Sequence, residues 1–377
     1  MSKGFVTTES LPDFSLWEKR RGKNALFSFT LETTARCNNI CRHCYINLPE
    51  RDADARDHEL SLDQIKDIAD QAVDLGAVWC LITGGEPLLR DDFEEMYLYL
   101  KRRGLLVSVF TNGTLIGPEH VALFQKYPPR DLEITVYGVS REIYGRVTRR
   151  PDLFDAFEGG VNQLLDAGVK VNLKAVPIQA NLEQYPEIAG FCRKHTSRSF
   201  RFDPLIHLRF DRDEAKNREI REQRLTAEQI ARLEREDEKR HAVLEKNCDT
   251  LIMPEPPHRD RPYLFGCGAG LSDFVVSCDG YFRLCSSLWH PDCMYDLKQG
   301  TVKEARQTLV PKVRSMTSAS PVFADNCAKC SLINLCLWCP AHAWLETGHM
   351  EQPCAYFCGV AEERGKIVKK GLTEKLG

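Results

Sequence analysis

Three cysteines near the N-terminus have the type and spacing of ligands to one metal centre. Cys37, Cys41 and Cys44 form a C-x3-C-x2-C run directly after an apolar, β-rich segment. Three thiolates on one loop leave a four-iron cube with one iron that has no protein ligand. A tetrahedral zinc site is the alternative, but His43 is its one close fourth ligand and is poorly placed beside Cys44. The run therefore predicts an iron–sulfur cluster with an open iron.

A glycine pair with an acidic residue follows the next β-rich segment. Gly84, Gly85, Glu86 and Pro87 read G-G-E-P at the end of the second predicted strand. Glycines let a backbone approach a ligand closely, and a carboxylate can accept a charge-assisted hydrogen bond from a ligand ammonium group. A tight strand-to-helix turn with Glu86 near a helix N-terminus is the alternative. With the three cysteines upstream, the motif favours ligand binding.

The C-terminal third carries most of the remaining chemistry. Of 16 cysteines in 377 residues, nine lie in this part of the chain outside Cys278: Cys267, Cys285, Cys293, Cys327, Cys330, Cys336, Cys339, Cys354 and Cys358. A long chain without a secretion signal does not resemble a disulfide scaffold, so metal binding is favoured. Two C-x2-C pairs five residues apart also suit a zinc knuckle, which remains the alternative here.

Alternating strand and helix patterns must position these residues. Helical periodicity is clear over Leu62–Leu75 and Phe154–Ala167. The predicted strands are Leu26–Thr33, Ala77–Thr83, Leu105–Thr111, Leu132–Tyr137, Val169–Pro177 and Ser199–Leu205. Six β-α units predict an α/β fold with a parallel sheet, either a partial barrel or an open doubly wound sheet, with chemistry at the carboxyl ends of the strands.

The predicted organisation has four parts. An N-terminal extension (1–25) precedes the barrel (26–210), a charged helical connector and Pro-rich linker follow (211–262), and a cysteine-rich domain with a C-terminal helix ends the chain (263–377). The charged connector reads as a solvated helix or helical pair. Asp279-Gly280 predicts a hairpin within the last part.

Bulk composition excludes several partner classes. The formal net charge of −3 gives no argument for nucleic acid or an anionic membrane as partner. No apolar run has the length of a membrane span, and Met1 to Glu18 do not read as a secretion signal. We expect a cytoplasmic location.

The C-x3-C-x2-C run followed by G-G-E-P resembles the radical S-adenosylmethionine (SAM) superfamily. The resemblance implies a partial (β/α)6 TIM-like barrel in which SAM chelates the open iron of a [4Fe-4S] cluster and yields a 5′-deoxyadenosyl radical. It implies Gly84, Gly85, Glu86, Asn112 and Thr135 as SAM-binding residues, with Glu86 at the ammonium group. Arg146 or Arg149 could reach the SAM carboxylate, and the alternative for both is a solvated face.

The C-terminal cysteines resemble the SPASM domain, which holds auxiliary [4Fe-4S] clusters. Carried over by position, this implies Cys267, Cys285 and Cys339 as ligands of a first auxiliary cluster. It implies Cys327, Cys330, Cys336 and Cys354 as ligands of a second. Cys339 follows Cys336 after two residues where the family has three. Cys293 could complete the first cluster, or that site is open, and Cys358 could replace Cys354.

The resemblance favours a radical SAM enzyme that oxidatively modifies a peptide or protein, as in the maturation of ribosomally made peptides. Small-molecule dehydrogenation or modification of a tetrapyrrole side chain is the enzymatic alternative, and a zinc-binding interaction scaffold is the non-catalytic one. Expected partners are the peptide, a reductant such as ferredoxin or flavodoxin, and a separate leader-binding protein where the substrate carries a leader. Glu32, Tyr137 and Asp203, near strand ends, could face substrate, or each could be satisfied within the barrel.

Replacing Cys37, Cys41 and Cys44 together by Ala is predicted to abolish reductive cleavage of SAM, because no protein ligand would remain for the cluster. The measurement is 5′-deoxyadenosine formed by the anaerobically reconstituted, reduced protein. Undiminished 5′-deoxyadenosine would contradict the ligand assignment.

Overall fold

The computed structural model describes residues 26–247, 251–253 and 263–375. The predicted N-terminal extension and residues 254–262 of the Pro-rich linker lie outside the described residues. Within the described part, no helix is both long and apolar enough to cross a membrane.

A nine-stranded sheet forms the centre of the described structure, in the order β11-β10-β9-β1-β4-β5-β6-β7-β8. Strands β1 and β4 to β8 are parallel neighbours, which confirms the predicted α/β fold of the partial-barrel kind. Their bounds are β1 Ser28–Glu32, β4 Trp79–Thr83, β5 Leu106–Thr111, β6 Asp131–Val136, β7 Asn172–Ala175 and β8 Arg201–Phe202. All six lie inside the predicted segments except for the first residue of β6, and β8 is far shorter than predicted.

Helices cover the sheet in the expected alternation. Their bounds are α1 Ala53–His58, α2 Leu62–Asp74, α3 Phe93–Arg102, α4 Pro118–Lys126, α5 Arg141–Thr148, α6 Phe154–Asp166, α7 Tyr185–His195, α8 Glu214–Gln223, α9 Ala227–Glu236, α10 Glu238–Lys246, α11 Val302–Arg314, α12 Ile333–Cys336, α13 Pro340–Thr347 and α14 Ala355–Lys375. Helix α2 shows why they form: Ser61 and Gln64 make a capping box at its start. Its buried stripe of Ile65, Ile68 and Ala72 then packs into the core.

The cysteine-rich part continues the same sheet. Strand β9 (Val275–Val276) pairs in parallel with β1, and β10 (Tyr281–Arg283) and β11 (Met294–Asp296) follow antiparallel. Gly280, at a φ of +95°, allows the tight turn between β9 and β10, so the predicted hairpin is present. The predicted domain boundary therefore crosses a continuous sheet.

The charged connector differs from its prediction as a solvated segment. It forms α8, α9 and α10, and Ile220, Ile230 and Leu233 are buried. Glu234 on α9 is also buried, because Arg364 on α14 pairs with it at 2.6 Å. A charged residue with a buried long-range partner looks like surface in the sequence, which explains the difference.

Replacing Arg364 by Ala is predicted to destabilise the fold by about 3 kcal/mol, the lower end for a broken buried pair, because Glu234 would keep only the half-buried Arg240 as an ion-pair partner. The measurement is the midpoint of urea unfolding. Arg141→Ala is the matched control, since the Arg141–Asp155 pair is exposed and such pairs contribute about 0–1 kcal/mol. Equal effects of the two changes would contradict the interpretation.

Candidate active site

An open cavity of about 650 Å³ lies at the carboxyl ends of the parallel strands. This is where ligands bind in parallel α/β folds, and the volume suits a cofactor with a substrate. Most of the predicted core-site residues line it: Cys37, Cys41, Cys44, Gly84, Gly85, Asn112 and Thr135. The structure therefore brings these residues together.

The three cysteines lie on a closed loop. Arg36–Cys37 (β2) pairs with Leu48–Pro49 (β3) to form a separate two-stranded ladder, so the loop between them returns to its start. Cys44 N–H donates to Cys41 O within the loop at 3.2 Å. A loop closed in this way lets all three thiols face one centre.

A buried guanidinium holds one side of the loop. The side chain of Arg209 has no exposed surface. It donates to the carbonyl oxygens of Cys44 and Asn47 at 3.4 and 3.2 Å. Its charge is balanced by Asp211, whose Oδ2 lies 2.6 Å from Arg209 Nη2. Arg209 thus positions the loop without lining the cavity.

Helix α5 holds the other side. Its last carbonyl groups, on Val147 and Thr148, accept hydrogen bonds from the N–H groups of Arg42 and Ile40 at 3.1 and 2.9 Å. These are the carbonyls that a helix C-terminus leaves without partners of its own. The loop is therefore fixed at both flanks before any metal binds.

Burial is the largest influence on the pKa of each of the three thiols. It raises the pKa of Cys37, Cys41 and Cys44, and neighbouring thiolates add to the rise for Cys37 and Cys41. For Cys44, hydrogen bonds from the Ile46 and Asn47 backbone and the charge of Arg209 act in the opposite direction. Three converging, reluctantly ionised thiols are stabilised by a metal that replaces their protons.

The two glycines of G-G-E-P are required because neighbouring backbone leaves no room for a side chain at either position. A Cβ on Gly84, at a φ of +144°, would lie 2.3 Å from Thr34 O, and one on Gly85 would lie 2.2 Å from Arg36 O. Gly85 N–H and Glu86 N–H donate to these same carbonyls, at 2.6 and 2.9 Å. Both glycines line the cavity. The close contact that they permit is between their own backbone and the backbone at the start of the cluster loop.

The Glu86 carboxylate has partners within the protein, and its contact with the SAM ammonium group stays a prediction. Its carboxylate is fully buried and accepts hydrogen bonds from Asn112 N–H and Thr111 Oγ1, both at 2.7 Å, and from Leu88 N–H at 3.1 Å. Burial raises its pKa to about 7, and these donors oppose the rise. Glu86 is not among the cavity-lining residues, so it positions the turn that carries Asn112.

Asn112 connects that turn to the cluster loop. Its side-chain amide donates to Asn38 Oδ1 at 2.8 Å and lies 3.6 Å from Cys37 Sγ. Its own Oδ1 accepts from Thr114 N–H at 2.9 Å. Asn112 therefore lies at the cluster end of the cavity, as predicted.

The C-terminal thiols gather into two groups. Cys267, Cys285 and Cys339 form the first: burial raises the pKa of Cys339 to about 12, and the nearby Cys285 and Cys267 thiols contribute to the rise. Cys327, Cys330, Cys336, Cys354 and Cys358 form the second, in which the Cys336 and Cys358 thiols are hydrogen-bonded. The expected ligands of each auxiliary cluster therefore lie near one another.

The family model of the radical SAM superfamily matches residues 31–192, the segment that contains the cluster loop and the G-G-E-P turn. Residues 31–192 form a radical SAM domain. The resemblance drawn from the cysteine and glycine motifs is confirmed, and the cofactors of this family are a [4Fe-4S] cluster and SAM.

Three known proteins show what the chain is similar to. An AdoMet-dependent heme synthase of Nitratidesulfovibrio vulgaris is 28% identical over 163 residues, 43% of this chain and 44% of the relative. The antilisterial bacteriocin subtilosin biosynthesis protein AlbA of Bacillus subtilis is 26% identical over 314 residues, 82% of this chain and 66% of the relative. The crystal structure of Streptococcus suis SuiB bound to precursor peptide SuiA has a TM-score of 0.66 and 16% identity, over 95% of this chain and 84% of that chain.

The sequence matches and the structural match cover different shares of the chains. The matches cover less than two thirds of the length of both curated relatives. The structural likeness extends over nearly the whole chain, so the shared fold includes the cysteine-rich C-terminal part.

The donor sets fit the cofactors of a radical SAM protein. Cys37, Cys41 and Cys44 would hold a four-iron cluster and leave one iron for SAM, with the cavity beside them for the rest of that molecule. Among the described residues, no three His, Cys, Asp or Glu side chains converge closely enough for a single metal ion.

Two arginines do not reach the cavity of the radical SAM core. Arg146 pairs with Glu142 and Glu183, and Arg149 pairs with Glu219. Neither lines the cavity. Surface carboxylates pair with both side chains, and their contact with the SAM carboxylate stays a prediction.

Glu32, Tyr137 and Asp203 do line the cavity, as expected, and other residues there escaped prediction. Lys174 faces the cavity because it follows Asn172 by two residues on β7, a polar alternation that the sequence shows. His207 and His342 stack with ring centroids 4.1 Å apart, and they join the two halves of the chain. Only the fold reveals that pairing.

Gly85→Ala is predicted to reduce iron at the radical SAM cluster and with it SAM cleavage, because the new methyl group would meet a backbone oxygen that cannot move aside. Overpacking of this kind costs about 1–3 kcal/mol or more. The measurements are iron per chain in a protein without the auxiliary ligands Cys327, Cys330, Cys267 and Cys285, and 5′-deoxyadenosine in the intact chain.

Gly159→Ala is the matched control. Gly159 lies in α6 and an added Cβ there meets nothing within 4 Å, so this change should stabilise by about 1 kcal/mol and leave the cluster intact. Normal iron content in Gly85→Ala would refute the packing role of the glycine.

Proposed function

We propose that the chain is an enzyme that oxidatively modifies a side chain of a peptide or protein. When bound, the reduced cluster and SAM supply a 5′-deoxyadenosyl radical that abstracts hydrogen from an unactivated C–H bond. The chain's own residues hold these groups, bind the substrate against them and exclude water.

The observation that carries the proposal is the composition of the cavity wall. One side carries the cluster cysteines, and the other carries Cys336, Leu337, His342 and Phe357 from the cysteine-rich half. Leu337 has 63% of its surface exposed and so offers an apolar contact at the wall. A substrate in this cavity would touch both the radical-forming site and the auxiliary-cluster domain.

The charges of the cavity favour a peptide over a tetrapyrrole with several carboxylates. Its lining cations, among the described residues, are Lys174 and Arg240. Lys174 already pairs with Glu133 and Asp203 at 3.2 Å each, and Arg240 pairs with Glu234 at 2.8 Å. A polycarboxylate substrate needs cations that remain available for it.

Neutral histidine adds to this argument. Burial lowers the pKa of His207 to about 4, with Arg224 contributing, so this side chain provides no positive charge near neutral pH. The cavity therefore combines paired charges, neutral rings and apolar contacts, which suits a polypeptide segment.

The known proteins support both substrate classes. AlbA takes part in the biosynthesis of subtilosin, a bacteriocin, and SuiB was crystallised with a precursor peptide, which supports the peptide proposal. The relative described as a heme synthase supports the tetrapyrrole alternative. We further propose ferredoxin or flavodoxin as reductant, and a separate leader-binding protein where the peptide carries a leader.

The test uses the reconstituted, reduced holoenzyme with SAM. It is incubated either with short peptides encoded beside its own gene or with iron coproporphyrin. We expect a peptide, and not the porphyrin, to raise 5′-deoxyadenosine formation and to change in mass or connectivity by tandem mass spectrometry. Decarboxylation of the porphyrin with unchanged peptides would contradict the proposal.

Cys327→Ala/Cys330→Ala is the companion variant. It should still cleave SAM, because the radical SAM site is intact, yet form no modified peptide, because an auxiliary cluster is lost. Circular dichroism checks that the fold survives. Normal product from this variant would show that the auxiliary cluster has no role in the chemistry.

A further inference from the structure

Leu337 has an exposed side chain on a backbone conformation that disfavours it. It follows the short helix α12 at a φ of +54° and a ψ of +48°, in the left-handed region. Gly and Asn usually occupy this position after a helix, because a Cβ is strained there. Leu337 is 63% exposed, the highest fraction among the large apolar side chains of the described residues. Both its conformation and its exposure to water therefore cost stability.

The turn between the two thiols explains the direction of Leu337 but not its residue type. The next residue, Trp338, packs against Phe323 with ring centroids 5.1 Å apart, and Leu337 N–H donates to Ile333 O. Any residue except proline can donate such a backbone bond, and Gly or Asn would make the same turn with less strain. Strained residues cluster at ligand sites, so the leucine side chain itself indicates a ligand contact.

Leu337 contributes to an apolar wall of the large cavity. Leu205 and Phe357 line the same cavity, and both belong to one apolar cluster. Leu205 comes from the segment after β8, whereas Leu337 and Phe357 come from the cysteine-rich part. We call these three side chains the apolar subsite. Because both parts of the chain form it, the subsite exists only in the folded protein.

A column of stacked rings supports the apolar subsite. The ring of His342 stacks on that of Phe357, with centroids 5.3 Å apart and planes at 18°. On its other face it stacks on His207, with centroids 4.1 Å apart and planes at 23°. All three residues line the cavity. Rings stacked in this way hold one another in place, so the wall that carries Phe357 is formed before a substrate binds.

The barrel strands give their part of the cavity a different character. They contribute Thr30, Glu32, Thr135 and Lys174, whose side chains have polar groups that water can satisfy. Water gains no hydrogen bond from the side chains of the apolar subsite. An apolar occupant is therefore favoured at the subsite, because it removes the exposed surface of Leu337 from water.

We propose that the apolar subsite binds an apolar side chain of the substrate peptide, and that Leu337 determines this specificity. The inference rests on the proposed function and narrows its substrate class to peptides with an aliphatic or aromatic residue close to the residue that is modified. The two residues lie close together because the cavity has a volume of about 650 Å³, into which only a short segment fits.

The first test uses the reconstituted, reduced holoenzyme with a peptide that it modifies. Leu337→Gly and Leu337→Asn keep the left-handed turn and remove the apolar side chain. We expect KM for the peptide to rise about tenfold, with a smaller change in kcat, because the lost contact binds ground state and transition state alike. An unchanged KM in both variants overturns the inference.

Val243→Asn is the matched control. Val243 is 58% exposed on α10 and does not line the cavity, so this change removes an exposed apolar side chain elsewhere and should leave KM unchanged. An equal rise of KM in Val243→Asn would show that the effect does not belong to the subsite, and the inference would be wrong.

A second measurement identifies the contacting residue of the peptide. Each apolar residue of the peptide is changed to Ala in turn. One such change should raise KM about tenfold with the wild-type enzyme and have little effect with Leu337→Gly, because groups in contact do not act additively. The same effect with both enzymes at every peptide position contradicts a contact with Leu337.

Iron content and the electron paramagnetic resonance spectrum of the reduced clusters distinguish substrate binding from cover of an auxiliary cluster. Leu337 directly follows the proposed ligand Cys336, so both roles would place an apolar side chain here. We expect Leu337→Gly and Leu337→Asn to match the wild type in both measurements. Lost iron or an altered signal in both variants would assign Leu337 to the cluster and overturn the inference.

A probe that does not depend on turnover separates the inference from the proposed function. If the wild-type enzyme modifies no peptide, the proposed function fails, and the subsite is tested with N-acetylleucinamide and N-acetylglutaminamide. Their binding to the oxidised holoprotein with SAM is followed by saturation-transfer nuclear magnetic resonance. The leucine amide should bind the wild type and Val243→Asn more tightly than Leu337→Asn, and the glutamine amide should show no such difference. Equal binding of the leucine amide to all three proteins overturns the inference.

Discussion

Three thiolates on a loop that is fixed at both flanks impose the constraint on which the rest of the structure depends. A four-iron cube in that loop has one iron without a protein ligand. The charge of Arg209 and the last carbonyls of α5 hold the loop, and the two glycines of the G-G-E-P turn pack against its first residues. Because the flanks are held by the fold, the open position faces the same cavity in every molecule.

The shared sheet brings the auxiliary part to that cavity. Strand β9 pairs with β1, so the hairpin that follows lies beside the first barrel strand. Arg283 on β10 is fully buried and pairs with Glu32 at the end of β1. Arg283 also donates to Ser286 O at 2.7 Å, next to Cys285. The buried ion pair thus fixes the position of Cys285, a proposed cluster ligand, relative to the edge of the cavity.

Local pattern was enough to predict the elements but not the long-range contacts. The apolar runs and three- to four-residue periodicity predict the six barrel strands and α2 and α6, because burial of one face is a local property of the sequence. The roles of Arg209 and Arg364 and the buried partners of Glu86 escaped prediction, because each depends on a contact that only the fold brings near. The polar alternation at Asn172 and Lys174 was readable, and it would have placed Lys174 in the cavity.

The proposed SAM chemistry depends on an iron of the cluster that has no protein ligand. The decisive measurement is the electron paramagnetic resonance spectrum of the reduced radical SAM cluster before and after SAM is added, in a chain that lacks Cys267, Cys285, Cys327 and Cys330. We expect a [4Fe-4S] signal whose g values shift on addition of SAM. A cluster signal that SAM leaves unchanged, or no cubane signal at all, would contradict it.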